Sequence, residues 1–309
     1  MDIDCPEYIQ FFPTLRCNKK CDFCFNRGVA TGVEVSVPAY TKLVSLISDA
    51  GIKEIDILGG EPTLHPDFAR LIEIPYKNGL HVFLSSNGSN VQLLQNISEG
   101  HSKDLLTIGV SVNGEVISGD LNSYILEHKP LLKGVCTRGK MLPETAIDYL
   151  GVQGIEYYML FMDAVSACTL EESLPFYEFY RKLNDIKKRY GNIKGVFCSC
   201  FIPDTATNPV LEYVRCPAGT TKFSVLPDGS VYPCYLFFRH KEFRLGNIFE
   251  DDFSIIRTNP VLNFFREFRG NACPNAGCEI FSLCHGGCPA VSLLINGDLR
   301  APDPRCVCV

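Results

Sequence analysis

The segment YIQFFPTLRCNKKCDFC, residues 8–24, decides how this chain is read. Its first half is an aromatic and apolar run that predicts a strand over Tyr8–Thr14, and its second half sets Cys17, Cys21 and Cys24 on one tight loop at the strand's end. Three is the informative number, because a structural zinc site normally closes with four protein ligands. Cys5 and His65, the nearest candidates for a fourth, lie outside the Cys-x3-Cys-x2-Cys spacing. The simpler reading is a four-iron cluster with one iron left open to a ligand from outside the chain, and an open iron implies chemistry.

Outward from this segment, short apolar runs alternate with longer amphipathic stretches as far as about Tyr190, the pattern of repeated βα units on a parallel sheet. The further strands expected are Glu54–Leu58, His81–Ser85, Leu105–Val112, Leu131–Cys136 and Ile155–Phe161. Helical spacing runs from Pro38 to Ala50, with Pro in the first turn and Gly51 just past the end, and from Thr169 to Tyr190, closing on Gly191. A full eight-unit barrel takes about 250 residues. Six units therefore predict a partial (β/α)6 TIM barrel, open on one side, within an α/β fold. The residues of interest follow strands: the cysteine loop, Gly59-Gly60-Glu61-Pro62, Ser85-Ser86-Asn87-Gly88 and Ser111-Val112-Asn113-Gly114. In βα architectures that edge carries the chemistry.

From Lys194 the texture changes to dense Cys, Gly and Pro, as expected of a small α+β domain held by metal rather than by a core. The expected organisation is a barrel over 1–193 and a Cys-rich iron–sulfur domain over 194–309. One hairpin is legible there: Thr221–Val225 and Ser230–Tyr232 flank Pro227-Asp228-Gly229, where Pro presets φ and Gly supplies a positive one.

Composition narrows the class. The chain has 309 residues, a net charge of -6 and 16 cysteines. A net negative chain lacks the clustered Lys and Arg that hold polyanions, so no nucleic-acid partner is expected, and Arg181–Arg189 reads as the solvated face of a helix. MDIDCPEYIQ has no basic segment leading into an apolar one, and no later apolar run approaches the ~20 residues of a membrane span. The expectation is a cytoplasmic protein with no membrane partner, in a reducing compartment where so many cysteines signify metal rather than disulfides.

Cys17, Cys21 and Cys24 match the CxxxCxxC signature of the radical SAM superfamily, and Gly59-Gly60-Glu61-Pro62 resembles that family's GGEP segment, which holds the methionyl amino group of S-adenosylmethionine (SAM). Two glycines permit close backbone approach, and the acid offsets an ammonium. The resemblance further implies that Phe23 sets its backbone against the adenine, that Ser85, Asn87 and Ser111 meet the ribose or carboxylate, and that Leu160 packs on adenine. For Ser85 and Ser111, a hydroxyl that merely satisfies the backbone is the competing reading. The implied reaction passes one electron from a reduced [4Fe-4S] cluster to SAM, giving methionine and a 5′-deoxyadenosyl radical that abstracts hydrogen from the substrate.

The later cysteines resemble the SPASM extension, which holds two auxiliary [4Fe-4S] clusters in radical SAM enzymes that modify peptides and proteins. They run Cys216, Gly229-x4-Cys234, then Cys273-x4-Cys278-x5-Cys284-x3-Cys288 and Cys306. By that resemblance Cys216, Cys234 and Cys288 bind the inner cluster, and Cys273, Cys278, Cys284 and Cys306 the outer one. The chain departs from the pattern in two places. Four residues separate Cys273 from Cys278 where two are usual, and no cysteine closely precedes Cys216, so Cys200 or, alternatively, Cys198 supplies the missing ligand or an iron stays open. Zinc ribbons are the competing account of these pairs. Cys5, Cys136, Cys168 and Cys308 have no assigned partner, Cys136 and Cys168 reading as plain structural thiols, and His285 reads as a side chain satisfying the backbone.

Three functions compete. The favoured one is a maturase of ribosomally made peptides, forming a thioether, a carbon–carbon or carbon–oxygen link, or an inverted centre. The alternative is a sulfatase-maturase-like dehydrogenase oxidising an alcohol or thiol. That family places an Asp base directly after a cysteine where this chain has Tyr235, and a phenol is a poor base near neutrality. Tyr235 reads instead as a packed aromatic, or as a stacking or relay residue. A non-catalytic electron carrier, the third, gains nothing from a SAM pocket. With seven residues before the first strand, no fused leader-binding module is expected; either a separate leader-binding protein brings the peptide, or the substrate is small or is recognised by the SPASM-like domain and the open barrel side alone, and a flavodoxin- or ferredoxin-type partner brings the electron. Glu156, Tyr157, Asp163 and the 118–124 loop lie where substrate contacts are expected.

Overall fold

The fold is known from a computed structural model, which describes residues 6–29, 32–114, 117, 119–198, 200–202, 209–271, 273–275, 277–281, 284 and 286–306. Cys5, Ser118, His285 and Cys308 lie outside the described residues. The chain forms two interleaved compact units: Met1–Lys20, Asn26–Gly109 and Pro217–Glu267 make the first, and Cys21–Phe25, Val110–Cys216 and Phe268–Val309 the second. A single cut at 193/194 does not coincide with them, because the chain returns to the first unit after residue 216.

The first unit is built on β1 (Tyr8–Phe11), β2 (Glu54–Ile57), β3 (His81–Ser86) and the start of β4 (Leu106–Ser111). The order is β1-β2-β3-β4, with β1/β2 and β2/β3 parallel. β1 is shorter than the sequence predicts: Phe12 N–H still donates to Val225 O at 3.0 Å, but Pro13 has no N–H to continue the ladder. Helix α1 (Val37–Asp49) starts where Ser36 accepts a hydrogen bond from Ala39 N–H and turns Tyr40, Leu43, Val44 and Ile47 inward. Tyr40 stacks at 5.1 Å on Phe11 in the core. α2 (Phe68–Lys77) and α3 (Val91–Gly100) complete the βα units here.

The predicted hairpin forms and extends this sheet. β8 (Lys222–Val225) pairs in parallel with β1, from Tyr8 opposite Lys222 to Phe11 opposite Val225, and antiparallel to β9 (Ser230–Tyr232). β10 (Gly246–Asn247) closes the edge against β9. A buried ladder locks the register: Ser224 Oγ donates to Gln10 Oε1 at 3.1 Å, and Gln10 Nε2 donates to Asp56 Oδ2 at 3.3 Å. Sequence patterning identified the strands but assigned them to a separate domain, since period-2 alternation does not name a partner.

The second unit carries β5 (Leu131–Cys136), β6 (Tyr157–Phe161) and β7 (Ile193–Val196), parallel throughout. β7 is an unpredicted strand. The helix expected over Thr169–Tyr190 is two: α6 (Ala167–Glu172) and α7 (Phe176–Lys187). Ser173 is extended, and Pro175, which disfavours the helical conformation at Leu174 and has no N–H to offer a preceding turn, keeps the two helices apart. Phe161, Phe176, Phe179 and Phe201 form an aromatic core, with Phe176 and Phe201 stacked at 3.9 Å. Among the described residues no helix is long and apolar enough to cross a membrane.

β8 covers the edge of β1, a strand whose last three residues are buried, so a chain ending at residue 193 leaves an apolar edge open to pairing with other copies. Such a fragment is expected to elute as aggregate in size-exclusion chromatography. A monodisperse folded fragment would contradict this account.

Candidate active site

The loop after β2 lies along the stem of the cysteine loop. Leu58 N–H donates to Phe11 O at 2.9 Å, Gly60 N–H to Thr14 O at 3.0 Å and Glu61 N–H to Arg16 O at 2.7 Å, one residue before Cys17. Backbones this close leave no room for side chains. A Cβ on Gly59 would stand 2.5 Å from the Thr14 carbonyl oxygen, and one on Gly60 would overlap the Arg16 carbonyl. Gly59 also has φ +149, a value L side chains rarely adopt. The glycines thus serve first the contact between two loops of the protein.

Glu61 is fully buried. Its Oε1 accepts from Thr63 N–H at 3.2 Å, Thr63 Oγ1 at 2.7 Å and Ser86 Oγ at 2.9 Å, and its Oε2 accepts from Asn87 N–H at 2.6 Å. Oε1 thus takes three donors and Oε2 one, and through these bonds Glu61 ties the β2 loop to the β3 loop. Ser86, not Ser85, makes that tie. Along β3 the buried positions are Val82, Leu84 and Ser86, so alternation puts Ser85 on the opposite, half-buried face. Asn87 then reaches the cysteine loop: its amide donates to Asn18 Oδ1 at 2.8 Å and approaches Cys17 Sγ at 3.9 Å. Thr63 and Asn26, whose amide donates to Gly59 O at 2.7 Å, are not distinguished by the sequence, and Ser86 is marked there only as part of the Ser85–Gly88 stretch. A hydroxyl at an inward strand position was the available signal for Ser86.

Within the cysteine loop, Cys17 is exposed and accepts from Lys19 N–H at 3.4 Å, while Cys24 N–H closes a turn onto Cys21 O at 3.2 Å. Cys21, Cys24 and Phe23 are half-buried. Ser111 ends β4 half-buried, and Leu160 lies on β6 between Val135 and Val196. Tyr235 follows Cys234 in a short helical turn, its ring 6.4 Å from Phe12 and 5.3 Å from the Lys222 ammonium. These contacts fit a packed aromatic.

In the second unit, Cys198, Cys200, Cys216 and Cys288 come together. Hydrogen bonds from Cys200 and Cys288 hold the Cys198 thiol well below its ordinary range, whereas burial and bonds to Cys198 and Cys216 push Cys200 up. The bond to Cys198, then burial, pushes Cys288 up. Both candidates for the missing ligand are therefore present. Cys234 is buried in the first unit, at the end of β9. Of the outer set, Cys284 is lowered to about 7 by its hydrogen bond with Cys306. Cys273 and Cys284 line a cavity of about 450 Å³ with Asn271, Phe281 and Gly286. Cys278 is half-buried. Cys136 is a buried thiol pushed up to about 12 by desolvation, and Cys168 is exposed.

Among the described residues no three His, Cys, Asp or Glu side chains are gathered as for a single metal ion. The donor chemistry fits iron–sulfur clusters: every described cysteine is a free thiol, Cys198 bonds to Cys200 and Cys288, Cys200 bonds to Cys216, and Cys273 and Cys284 face a cavity.

Comparison with known proteins defines the class. The sequence profile of the radical SAM superfamily matches residues 11–114, and that of the SPASM iron–sulfur cluster-binding domain matches residues 216–289. The chain carries both domains. Among individual proteins it is similar to the antilisterial bacteriocin subtilosin biosynthesis protein AlbA of Bacillus subtilis, 23% identical over 92% of this chain and 67% of that one. It is likewise 23% identical to the PqqA peptide cyclase of Bradyrhizobium diazoefficiens, over 95% of this chain and 84% of the other. The crystal structure of Streptococcus suis SuiB bound to its precursor peptide SuiA shares the fold, with a TM-score of 0.74 at 19% identity over 99% of this chain and 76% of SuiB.

Glu61→Gln tests the clamp, since it turns a donor toward the Asn87 N–H at the 2.6 Å contact. A charge-assisted hydrogen bond is worth about 1.5–3 kcal/mol. The variant is expected to unfold at a lower temperature by calorimetry and to bind SAM at least tenfold more weakly in equilibrium dialysis.

Proposed function

We propose that this chain is a radical SAM peptide maturase, which cleaves SAM reductively and abstracts hydrogen from a side chain or Cα of a ribosomally made peptide. The product is a thioether, a carbon–carbon or carbon–oxygen crosslink, or an inverted centre. The observation that carries the reading is the clamp of Gly59, Gly60 and Glu61 on the stem of the three-cysteine loop, in a chain whose relatives are by name a bacteriocin biosynthesis protein, AlbA, and a peptide cyclase.

In this reading Cys17, Cys21 and Cys24 hold a four-iron cluster that, when bound, supplies one electron to the sulfonium of SAM and so releases methionine and the 5′-deoxyadenosyl radical. The chain's own residues bind and orient. Glu61 fixes the β2 and β3 loops, and Asn87 bridges from them to the cysteine loop. Phe23, Ser85, Ser111 and Leu160 are assigned to the adenosyl and carboxylate parts of SAM. Cys198, Cys200, Cys216, Cys234 and Cys288 are the pool for the inner auxiliary cluster, and Cys273, Cys278, Cys284 and Cys306 bind the outer one. A separate leader-binding protein presents the peptide, and a flavodoxin- or ferredoxin-type protein delivers the electron.

Cys21→Ser is expected to reduce anaerobic 5′-deoxyadenosine formation, with dithionite as reductant, by more than a hundredfold. Undiminished cleavage of SAM would sink the central claim. With the wild-type chain and a peptide encoded beside its gene, a loss of about two mass units marks a crosslink, and deuterium uptake from heavy water marks epimerisation.

Iron analysis after anaerobic reconstitution tests the auxiliary assignment. Three four-iron clusters require about twelve irons per chain. A count of about eight, or stoichiometric zinc, would remove one auxiliary site from the account.

A further inference from the structure

One buried charge in the second unit is used by nothing described so far. The Arg305 side chain is 1% exposed, and its guanidinium lies 4.8 Å from the Phe161 ring centre and 5.4 Å from that of Phe201. Its Nε and Nη2 donate to the two oxygens of Asp303 at 3.0 and 2.7 Å, and Nη1 donates to Met162 O at 2.8 Å. Asp163, part-exposed, stands 3.6 Å from Nη1.

The pair spans the ground between cysteines. Asp303 leans on the Cys284–Cys288 segment: its Oδ2 accepts from Cys288 N–H at 2.8 Å, and its N–H donates to Gly286 O at 3.1 Å. Its side chain also fills the space where a residue other than Gly287 would carry a Cβ. Arg305 lies on the other side, against Phe201, whose N–H holds Cys198 O at 3.0 Å.

Stability alone does not account for this arrangement. A buried ion pair costs several kcal/mol per ion in desolvation, and replacing one with apolar side chains of similar size is often neutral or favourable. What a fixed cation in a low-dielectric nest does supply is a field, and reduction of an iron–sulfur cluster adds negative charge there. We propose that Arg305 is a positioning residue that raises the reduction potential of the iron–sulfur group held by Cys198 and Cys288, making that group the more ready electron acceptor. The proposal rests on the reading of those cysteines as cluster ligands.

The test is an EPR-monitored dithionite titration of the reconstituted full chain, following the signal that disappears in Cys288→Ala. In Arg305→Met the oxidised-to-reduced ratio at a fixed potential should rise about tenfold. That is a midpoint about 59 mV more negative for one electron. Arg305→Lys keeps the charge and should shift it much less, and Arg305→Met combined with Asp303→Asn, which also removes the opposing carboxylate, should shift it less than Arg305→Met alone. An unchanged midpoint in Arg305→Met, at full iron content and a near-wild-type unfolding temperature, overturns the proposal. So does loss of iron from all three variants, which would make the residue purely structural. If Cys288→Ala changes neither iron count nor any signal, the ligand reading itself has failed, and the proposal falls with it.

Discussion

The first unit depends on one buried carboxylate. Glu61 gathers donors from Thr63, Ser86 and Asn87, joining the exits of two adjacent parallel strands, while its own N–H grips Arg16 at the root of the cysteine loop. A buried carboxylate needs hydrogen-bond donors, and each donor that lost it would cost about 1–3 kcal/mol if left buried and unpaired. That constraint explains why the following residues are what they are. Gly59 and Gly60 have no side chains because the stem's carbonyls occupy the space, and Ser86 carries a hydroxyl on an inward-facing strand position otherwise taken by Val and Leu.

A comparable arrangement orders the second unit. The Arg305 and Asp303 pair gathers the Cys284–Cys288 segment, the strand end at Met162 and, through the N–H bond from Cys306 to Asp303 O, the C-terminal cysteine. In both units a buried charge with several hydrogen-bond partners ties cysteine-bearing loops to the strands beside them. The aromatic cluster of Phe161, Phe176 and Phe201 excludes water from around the guanidinium.

Much of this was legible beforehand. The three-cysteine loop, the GGEP segment and the βα alternation lie within short stretches, so local spacing and period carry them. The six strands fell where expected to within a few residues, and the ends that moved did so for local reasons, as at Pro13. The helix over Thr169–Tyr190 was overdrawn because the amphipathic period continues through Ser173 and Pro175 although the backbone does not. Strand β7, Ile-Lys-Gly-Val, has one buried residue and no apolar run to mark it.

By itself, then, the sequence determined the chemistry on offer: a three-thiolate loop, a loop of two glycines and an acid beside it, and a reserve of further cysteines. Tertiary structure alone decided which groups meet. It set Ser86 and Asn87 against the Glu61 carboxylate, linked Cys198 to Cys200 and Cys288 and Cys200 to Cys216, and laid the hairpin at 222–232 along β1. Each of those outcomes depends on contacts between residues far apart in the chain, where no local period or spacing records the partner. Burial makes the choice, because a charge or polar edge removed from water must find donors wherever the fold brings them.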